Sequence, residues 1–565
     1  MSTIAQTLAQ IKAQLTGPGA PFELTDVDVG GGRRLAAYRN ARETIPDMIN
    51  AARVHGDKTY IVYEGDTWSF DRLFAAADSL AWALREQFGV QPGDRVAIAM
   101  RNRPEWAVAF IGAALAGAVP APINSFGLQA ELSAALADVQ PKVLLADADR
   151  VKRIGAKLAE LAPATILCDA EPAAGSGLHS LSALLATQRD GPPPVQLGPN
   201  DPGLLLFTSG STSRAKAVLS TQRAVCQALY NIEFIAALSA ISSPGVVAEL
   251  LRRGDAPTIL TAVPLFHVSG LHAQLLSALV NGRRLVFVHK WDPARAIEMI
   301  RDQRVTAFQA APSMIMQVLE HPQFDFDQMR KQLSAMGFGG SGLPQRLIDE
   351  VLQRFGPSMS GIGFGLTESN GVGSAISGDG FANAPRSSGI VSPVMNVRIA
   401  NAEGQALPEG ETGEIWMSGV TVMTEYWNMP EATAAAMQDG WFRTGDVGYI
   451  QDGYLFVVDR LKDVINRAGE KIAAAEVESC LLQHEDLAEA AVLGIPDAKT
   501  GEAVVAVVAP HEGRAPEPEA LRKFVAAHLA SYKVPTRIVV TEKLPRNPTG
   551  KLLKTDIRKQ WFPEA

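Results

Sequence analysis

The feature that most constrains the fold is an alternation of short apolar runs with segments of helical period, repeated up to about Ser388. The apolar runs are residues 95–100, 142–146, 203–207, 284–288 and 305–310. The segments of helical period are residues 70–87, 131–138 and 293–303. Strands that alternate with helices at this spacing form largely parallel sheets covered by helices, so the pattern predicts an α/β architecture.

The pattern changes after about Ser388, where short alternating strands such as 397–400 and 414–418 are separated by turn residues. This change predicts an antiparallel or barrel-like section. A further unit begins near Leu461, with no long flexible linker before it. Its predicted elements are a helix at 475–483, strands at 489–494 and 502–509, and a helix at 518–530. Two or more packed units are also expected from a length of 565 residues.

Charge and cysteine usage exclude several classes of protein. The formal net charge of -8 argues against sequence-independent binding of nucleic acid, which needs a basic face. Cys168, Cys226 and Cys480 are far apart, so a disulfide framework or a cysteine-rich zinc site is not expected. The longest apolar stretch, about 106–122, predicts a buried helix and a strand, not a membrane span. Neither end resembles a targeting signal, so we expect a cytoplasmic location.

A run of small polar residues follows the apolar run 203–207. It contains five hydroxyl side chains and a lysine: Thr208, Ser209, Gly210, Ser211, Thr212, Ser213 and Lys216. Hydroxyls, free backbone N–H groups and a lysine can together hold phosphate oxygens, although a plain polar turn is the alternative. It is not a Walker loop, because no second glycine precedes Lys216.

Residues 337–342 match G-x-G-x-x-G before a predicted helix at 344–355, but no acidic residue follows at the distance that a dinucleotide site needs.

Four more segments follow in order, each of which could be a solvated turn when taken alone. They are Phe-Gly-Leu-Thr-Glu at 364–368, Phe-Arg-Thr-Gly-Asp at 442–446, Asp-Arg-Leu-Lys-Asp at 459–463 and Pro-Arg-Asn-Pro-Thr-Gly-Lys at 545–551. Together with the polar loop they resemble the adenylate-forming superfamily of acyl- and aryl-CoA synthetases, peptide-synthetase adenylation domains and beetle luciferases. The resemblance runs from about Ile45 to Arg558 and includes Pro-Leu-Phe-His-Val-Ser-Gly at 264–270.

The resemblance implies a fold and a domain organisation. Residues 1–461 would form a large N-terminal AMP-binding domain of two α/β sheets plus a distorted β-barrel. Residues 462–565 would form a small, mobile α+β domain that carries a catalytic lysine.

The resemblance also implies a nucleotide site. The loop residues Thr208 to Thr212 and Lys216 would wrap the β- and γ-phosphates, and Asp446, supported by Arg460, would accept from both ribose hydroxyls. Thr367 would contact the α-phosphate, and Glu368 would hold Mg²⁺. The remaining implied contacts are Thr208 to the metal and, around adenine, Gly339, Gly340, Ser341, Phe364 and Gly365.

The catalytic lysine implied by the resemblance is Lys551, placed between the substrate carboxylate and the α-phosphate, where its charge offsets the repulsion of two anions. Lys462 would be the pivot of the small domain, and the loop at Gly469 would then line the route of the thiol. The phosphate loop departs from the family at Ser213, Ala215 and Ala217, where glycine or proline is usual, and lost glycines reduce backbone freedom.

Substrate class is indicated by His267, which stands where amino-acid-activating members place an aspartate, so an α-amino acid is disfavoured. A packed core histidine is the alternative. The segment 236–258 is a plain surface excursion, a surface helix or a flap over the acid pocket. The expected activity is an AMP-forming acyl-CoA synthetase that uses ATP, Mg²⁺ and CoA on a hydrophobic acid. Rivals are a loader of carrier-protein thiols, a luciferase-like oxygenase and a non-catalytic nucleotide binder.

One regulatory partner is also predicted. Pro545 and Gly550 precede Lys551 in a spacing that resembles the signature read by bacterial protein acetyltransferases. The oligomeric state is left open, with a dimer as one option.

Overall fold

The computed structural model describes residues 3–208, 215–339, 345–356, 358–547 and 550–563. The first sheet near the N-terminus has five parallel strands, in the order Val119–Pro122, Arg95–Ala99, Val143–Ala146, Thr165–Leu167 and His179–Ser180. Its central strands are buried on both faces, which is why they read as continuous apolar runs. Its helices are Phe70–Glu86, Pro104–Leu115, Gln129–Val139, Ala148–Ile154, Leu158–Leu161 and Leu181–Leu185, with a 3₁₀ turn at Gly155–Lys157.

The second sheet has fourteen strands and is mixed. An edge strand, Asp66–Ser69, pairs antiparallel with Thr59–Tyr63. The parallel part then continues in the spatial order Arg284–Phe287, Thr258–Thr261, Ala307–Ala310, Ala335–Phe338 and Gly361–Phe364. The antiparallel part continues without a break through Ser374–Ser377, Ile390–Val391, Tyr454–Arg460, Trp441–Gln451, Gly413–Gly419 and Met395–Ala400, with Met437–Gln438 beside Trp441–Gln451.

A three-stranded antiparallel sheet, Pro202–Phe207, Ala217–Thr221 and Glu425–Tyr426, packs its apolar face on the first sheet. A hairpin, Leu24–Asp28 with Arg34–Tyr38, lies near the N-terminus. The other helices of this part are Thr3–Thr16, Ile45–Ala51, Gln222–Ser242, Pro244–Arg253, Val268–Gly270, Ser277–Asn281, Pro293–Asp302, Pro312–Leu319, Phe326–Met329, Gln345–Glu350, Asp379–Asn383 and Pro430–Ala436. The 3₁₀ and π turns are Ala52–His55, Leu271–Leu276, Val351–Phe355 and Thr367–Ser369.

The C-terminal unit is a smaller sheet with helices on both faces. Its strands are Glu470–Ile472, Ile465–Arg467, Gly501–Pro510, Leu487–Asp497 and Arg537–Val540, and its helices are Ala474–Leu481, Pro518–His528 and Lys554–Trp561, with a 3₁₀ turn at Ser531–Lys533. Alternate residues of the central strands enter two different cores: Val504 packs on one face and Val505 on the other. This arrangement agrees with the predicted α+β unit.

The segment 236–258 is largely helical, so it is not a surface excursion without regular structure. The helix Gln222–Ser242 runs through its first part, and a second helix, Pro244–Arg253, starts where Pro244 can occupy the first turn because its missing N–H is not needed there. Ser243 between them is buried and accepts the N–H of Asp379 at 2.9 Å. Among the described residues Gln222–Ser242 is the one helix long and apolar enough to cross a membrane. However, 56% of its apolar window is buried, as in a core helix.

Smaller differences concern element ends. The strand expected at 305–310 begins at Ala307, because Arg304 has a positive φ and Val305 still bonds back to the preceding helix. The helix expected at 344–355 is described from Gln345, and its last turn, Val351–Phe355, is a π-turn. The apolar stretch near 106–122 is a buried helix followed by a strand, as predicted.

Candidate active site

The carboxyl ends of four neighbouring parallel strands in the second sheet meet at one edge. Thr258–Thr261 leads towards His267, Ala307–Ala310 leads into Ala311, Ala335–Phe338 into Gly339, and Gly361–Phe364 into Gly365. In open α/β sheets this edge is the usual ligand position. It also lies beside the point where the sheet changes from parallel to antiparallel pairing, between Gly361–Phe364 and Ser374–Ser377.

Two predicted adenine-pocket residues lie together at this edge. Phe338 pairs with Ile362 in the parallel register, so Gly339 and Phe364 leave the sheet as neighbours. The Phe364 ring is half-buried and Gly339 is exposed, with nothing near the position of a Cβ. Two further predicted residues, Gly340 and Ser341, lie outside the described residues.

The turn after Phe364 is tightly specified by its residues. A Cβ at Gly365 would overlap the backbone of Gly371, so only glycine fits there. The backbone of Leu366 and the hydroxyl of Ser369 bond reciprocally across the turn. Thr367 and Glu368 are therefore presented by a fixed 3₁₀ turn, Thr367–Ser369, with the Glu368 side chain 9% exposed.

The predicted phosphate loop closes at its base. Thr208 N donates to Lys216 O at 2.9 Å, and Lys216 N donates to Thr208 Oγ1 at 3.2 Å. These bonds continue the ladder of the two flanking strands, whose last pair is Phe207 with Ala217. The predicted residues Ser209, Gly210, Ser211 and Thr212, together with Ser213, lie outside the described residues.

A tyrosine that sequence reasoning missed connects this loop to Glu368. The hydroxyl of Tyr426 donates to Glu368 Oε1 at 2.7 Å, and Lys216 Nζ lies 4.4 Å from the centre of the Tyr426 ring. Burial, and then the neighbouring Glu368 carboxylate, raise the pKa of Tyr426 above its ordinary value, so its hydroxyl stays a donor. No local pattern marked this residue, because its partners are far away along the chain.

Asp446 and Arg460 are opposite each other in an antiparallel pair of strands. Arg460 Nε lies 3.5 Å from Asp446 Oδ1, and the backbone N–H of Asp446 donates to Thr444 Oγ1 at 3.0 Å. Burial raises the pKa of Asp446 to about 6, against the opposing charges of Arg460 and Lys551. The carboxylate is therefore fixed and 6% exposed.

Lys551 comes from the C-terminal unit and reaches the same region. Its backbone N–H donates to Asn547 Oδ1 at 2.9 Å, which shapes the loop, and a Cβ at Gly550 would press on Ala311 and Ser313 of the sheet edge. Burial, followed by the charge of Arg460, lowers the pKa of Lys551 to about 8. The charge of Asp446 acts in the opposite direction.

The predicted hinge residue Lys462 follows Arg460 by two residues, whereas the predicted thiol-loop residue Gly469 lies in a turn of the C-terminal sheet. Lys462 sits in the turn between the last strand of the second sheet and the C-terminal sheet, and burial lowers its pKa. Gly469 has a φ of 92° and lies at an exposed hairpin turn. The neighbouring Ala468 N donates to Thr500 O at 2.7 Å, so this turn is held within the C-terminal unit.

His267 is half-buried at the start of the short helix Val268–Gly270, with its ring centre 4.4 Å from that of Phe266. Burial lowers its pKa to about 4, so the ring is neutral at pH 7. Gly270 is required by packing, since a Cβ there would overlap the carbonyl of Pro264. His267 is thus an uncharged group at the same strand edge.

A magnesium ion would have few protein ligands here. The described residues contain no group of three or more His, Cys, Asp or Glu side chains placed to hold a metal. Glu368 nevertheless has one carboxylate oxygen that accepts from Tyr426, and no hydrogen bond to its second oxygen is found among the described residues. A single carboxylate completed by substrate phosphates is the usual way in which Mg²⁺ is bound, so the residues fit a metal that arrives with a nucleotide.

Comparisons with known proteins agree with this geometry. Residues 49–427 match the AMP-binding enzyme family, and residues 476–551 match the AMP-binding enzyme C-terminal domain. Feruloyl-CoA synthase from an Amycolatopsis species is 32% identical over 517 residues, covering 91% of this chain and 98% of that protein. Fatty acid–[acyl-carrier-protein] ligase ScoC from Streptomyces coeruleorubidus is also 32% identical over 517 residues, covering 89% and 94%.

Among solved structures, o-succinylbenzoate CoA synthetase (MenE) from Bacillus subtilis, in complex with the acyl-adenylate OSB-AMP, is similar with a TM-score of 0.72 and 27% identity. The similarity covers 90% of this chain and 97% of that one. The fold has a large N-terminal unit with mixed sheets, followed by a smaller C-terminal unit. The chain belongs to the AMP-binding enzyme family, the adenylate-forming superfamily, where it lies near the acyl-CoA synthetases among the acid–thiol ligases that use ATP and CoA.

Proposed function

We propose that this ligase activates an uncharged, hydrophobic carboxylic acid as its acyl-adenylate and transfers the acyl group to CoA. The observation that carries the substrate class is the half-buried, uncharged imidazole of His267 at the strand edge that leads from Thr258–Thr261. A neutral imidazole offers no fixed negative charge to the ammonium group of an α-amino acid. A hydrophobic acid needs no fixed negative charge, because its carboxylate is its only charged group.

In the adenylation step Lys551 would lie between the acid carboxylate and the α-phosphate. The two anions repel each other, and an ammonium held between them offsets that repulsion and stabilises the charge of the transition state. The position of Lys551 beside Asp446 and Arg460 supports this role. Asp446 would accept hydrogen bonds from the ribose hydroxyls, which its two carboxylate oxygens allow.

The nucleotide would lie along the strand edge. Phe364 would stack on adenine beside Gly339 and Gly365, and Thr367 would contact the α-phosphate. Thr208 and Lys216 would hold the far phosphates with the loop between them. Glu368, with Thr208 near it, would hold Mg²⁺, which supplies positive charge to the phosphate oxygens when bound.

The second half-reaction would need a different arrangement, since Gly469 lies at an exposed turn and Lys551 would stand at the α-phosphate in the first. We propose that the chain rotates at Lys462, so that residues 462–565 withdraw Lys551 and bring the Gly469 turn to the site. The thiol sulfur then attacks the carbonyl carbon of the mixed anhydride. A C–S bond forms, the C–O bond to phosphate breaks, and AMP leaves.

A panel of acids tests the substrate class. AMP release is measured with ATP, Mg²⁺ and CoA for medium-chain fatty acids, arylpropenoic acids, arylalkanoic acids, leucine and phenylalanine, with Lys551→Ala as the blank. We expect CoA-dependent release with one or more hydrophobic acids and background rates with both amino acids. Amino-acid rates comparable to those of the best hydrophobic acid would contradict the proposal.

A carrier-protein acceptor is the second candidate, favoured by the similarity to an acyl-carrier-protein ligase. The same assay separates the two acceptors when CoA is replaced by holo acyl-carrier protein at equal thiol concentration. Thioester formation on the carrier without any on CoA would replace the first proposal. Oxygen consumption in the same mixture would instead support a luciferase-like oxygenase.

A further inference from the structure

Tyr426 lies between two segments that face the nucleotide phosphates in the proposed function. Its hydroxyl donates to Glu368 Oε1 at 2.7 Å, and its ring face lies under Lys216, whose Nζ is 4.4 Å from the ring centre. The side chain is 5% exposed. One buried residue therefore contacts both the carboxylate turn and the far arm of the phosphate loop.

The backbone around Tyr426 is anchored to the same two segments. Tyr426 pairs with Val218 in the strand that follows Lys216, and Trp427 N donates to Ala217 O at 2.8 Å. Met423 N donates to Glu368 O at 2.7 Å. The backbone on both sides therefore fixes the position of the Tyr426 ring, so the ring can hold the side chains of Glu368 and Lys216 in place.

The hydrogen bond from Tyr426 distinguishes the two oxygens of the Glu368 carboxylate. Oε1 is engaged by the hydroxyl, which fixes the rotation of the carboxylate and leaves Oε2 to meet an incoming cation. Hydrogen bonds to ionised groups are short and strong, and groups that orient a metal ligand in this way typically contribute about 10–100-fold to metal affinity.

We propose that Tyr426 is a positioning residue, which aims Glu368 at the magnesium ion of the nucleotide through its hydroxyl and supports Lys216 through its ring. This inference rests on the proposed metal role of Glu368. Two substitutions separate the two contacts, because Tyr426→Phe removes the hydroxyl alone and Tyr426→Leu removes the ring as well.

The test is calorimetric titration of each variant with the non-hydrolysable α,β-methylene analogue of ATP, in Mg²⁺ and in EDTA. Tyr426→Phe should weaken binding about tenfold in Mg²⁺ and change it less than about twofold in EDTA, because only the metal-dependent part is lost. Tyr426→Leu should also weaken binding in EDTA, since Lys216 loses its support. Tyr38→Phe is the matched control. It deletes a buried hydroxyl that donates to Asn231 Oδ1 at 2.7 Å, so it should lower the melting temperature without changing either affinity.

A cycle with Glu368→Gln distinguishes failure of this inference from failure of the proposed function. If Glu368→Gln leaves the Mg²⁺-dependent affinity unchanged, the metal role of Glu368 is wrong. If Glu368→Gln loses that affinity and Tyr426→Phe keeps it, only the inference is wrong. If both are right, adding Tyr426→Phe to Glu368→Gln causes no further loss, because the two residues act through one carboxylate. Equal affinities of the Phe and Leu variants in EDTA would overturn the part that concerns Lys216.

Discussion

The rate of the adenylation half-reaction should follow a bell-shaped pH profile with limbs set by Asp446 and Lys551. Burial raises the pKa of Asp446 to about 6 and lowers that of Lys551 to about 8. In the proposed function, adenylation needs an ionised Asp446 to accept from the ribose and a protonated Lys551 to offset the two anions. The rate should therefore fall as the pH drops through about 6 and as it rises through about 8.

The size of each limb follows from the two pKa values. With a pKa near 8, about 90% of Lys551 is protonated at pH 7 and about 10% at pH 9, so kcat/KM should fall about ninefold over that interval. With a pKa near 6, Asp446 is about 90% ionised at pH 7 and about 10% at pH 5, which gives a fall of similar size. An unperturbed lysine, with a pKa of 10.5, would move the midpoint of this limb above pH 10.

The assay is acid-dependent exchange of pyrophosphate into ATP from pH 5 to 10, with the near-UV circular dichroism followed in parallel to exclude unfolding. Lys551→Arg should be slower and should lack the basic limb, because a guanidinium remains protonated. Lys554→Arg is the control: burial disfavours the charged form of Lys554, yet Glu478 at 2.8 Å raises its pKa, so this variant should keep the limb. A profile level to pH 10, or the same limb in Lys551→Arg, would refute the assignment.

Four further predictions concern single sites. Lys551→Ala should slow adenylation about 10²–10³-fold but spare thioester formation from supplied acyl-adenylate, and equal loss in both assays would contradict domain alternation. Lys462→Pro should permit adenylation and block thioester formation by fixing φ, as two half-reaction assays would reveal; an unchanged overall rate would place the pivot elsewhere. Gly365→Ala should lower the melting temperature and weaken ATP binding, since a Cβ meets Gly371, and wild-type values would disprove this requirement. Acetylation of Lys551 by a protein acetyltransferase should abolish adenylation with the fold intact. Mass spectrometry would detect the modification and the exchange assay its effect, and an unmodified Lys551 would contradict this regulation.

Much of the fold was predictable because the strongest sequence signals are local. Helix Phe70–Glu86 begins after Ser69, whose hydroxyl accepts the N–H of Arg72, and its start was predicted to the residue. The buried parallel strands appear in the sequence as apolar runs because both of their faces are covered. A surface helix was one of the alternatives for residues 244–253, and the structure has a helix there of which Val246 is the buried residue.

Residues of the candidate site were predictable when they belong to a linear motif. Residues that only tertiary packing brings to the site were not. Asp446 and Arg460 stand in two separate motifs, and the strand register brings them together. Tyr426 was missed because its contacts depend on a short strand that joins the Lys216 arm from a distant part of the chain. The low pKa of His267 likewise follows from burial, which the sequence around it does not specify.

The internal packing of the C-terminal unit is relevant to the rotation proposed between the two half-reactions. Its sheet has its own cores on both faces, so its folding does not depend on the strand edge that Lys551 approaches. Contacts across the boundary include exposed polar ones, such as Arg346 Nη1 to His511 Nε2 at 3.0 Å. Water can replace exposed polar contacts at little cost, whereas separation of apolar faces would be costly. We propose that a rotation at Lys462 withdraws Lys551 while the two cores of the C-terminal unit stay intact, which is the physical condition that a two-step use of one site requires.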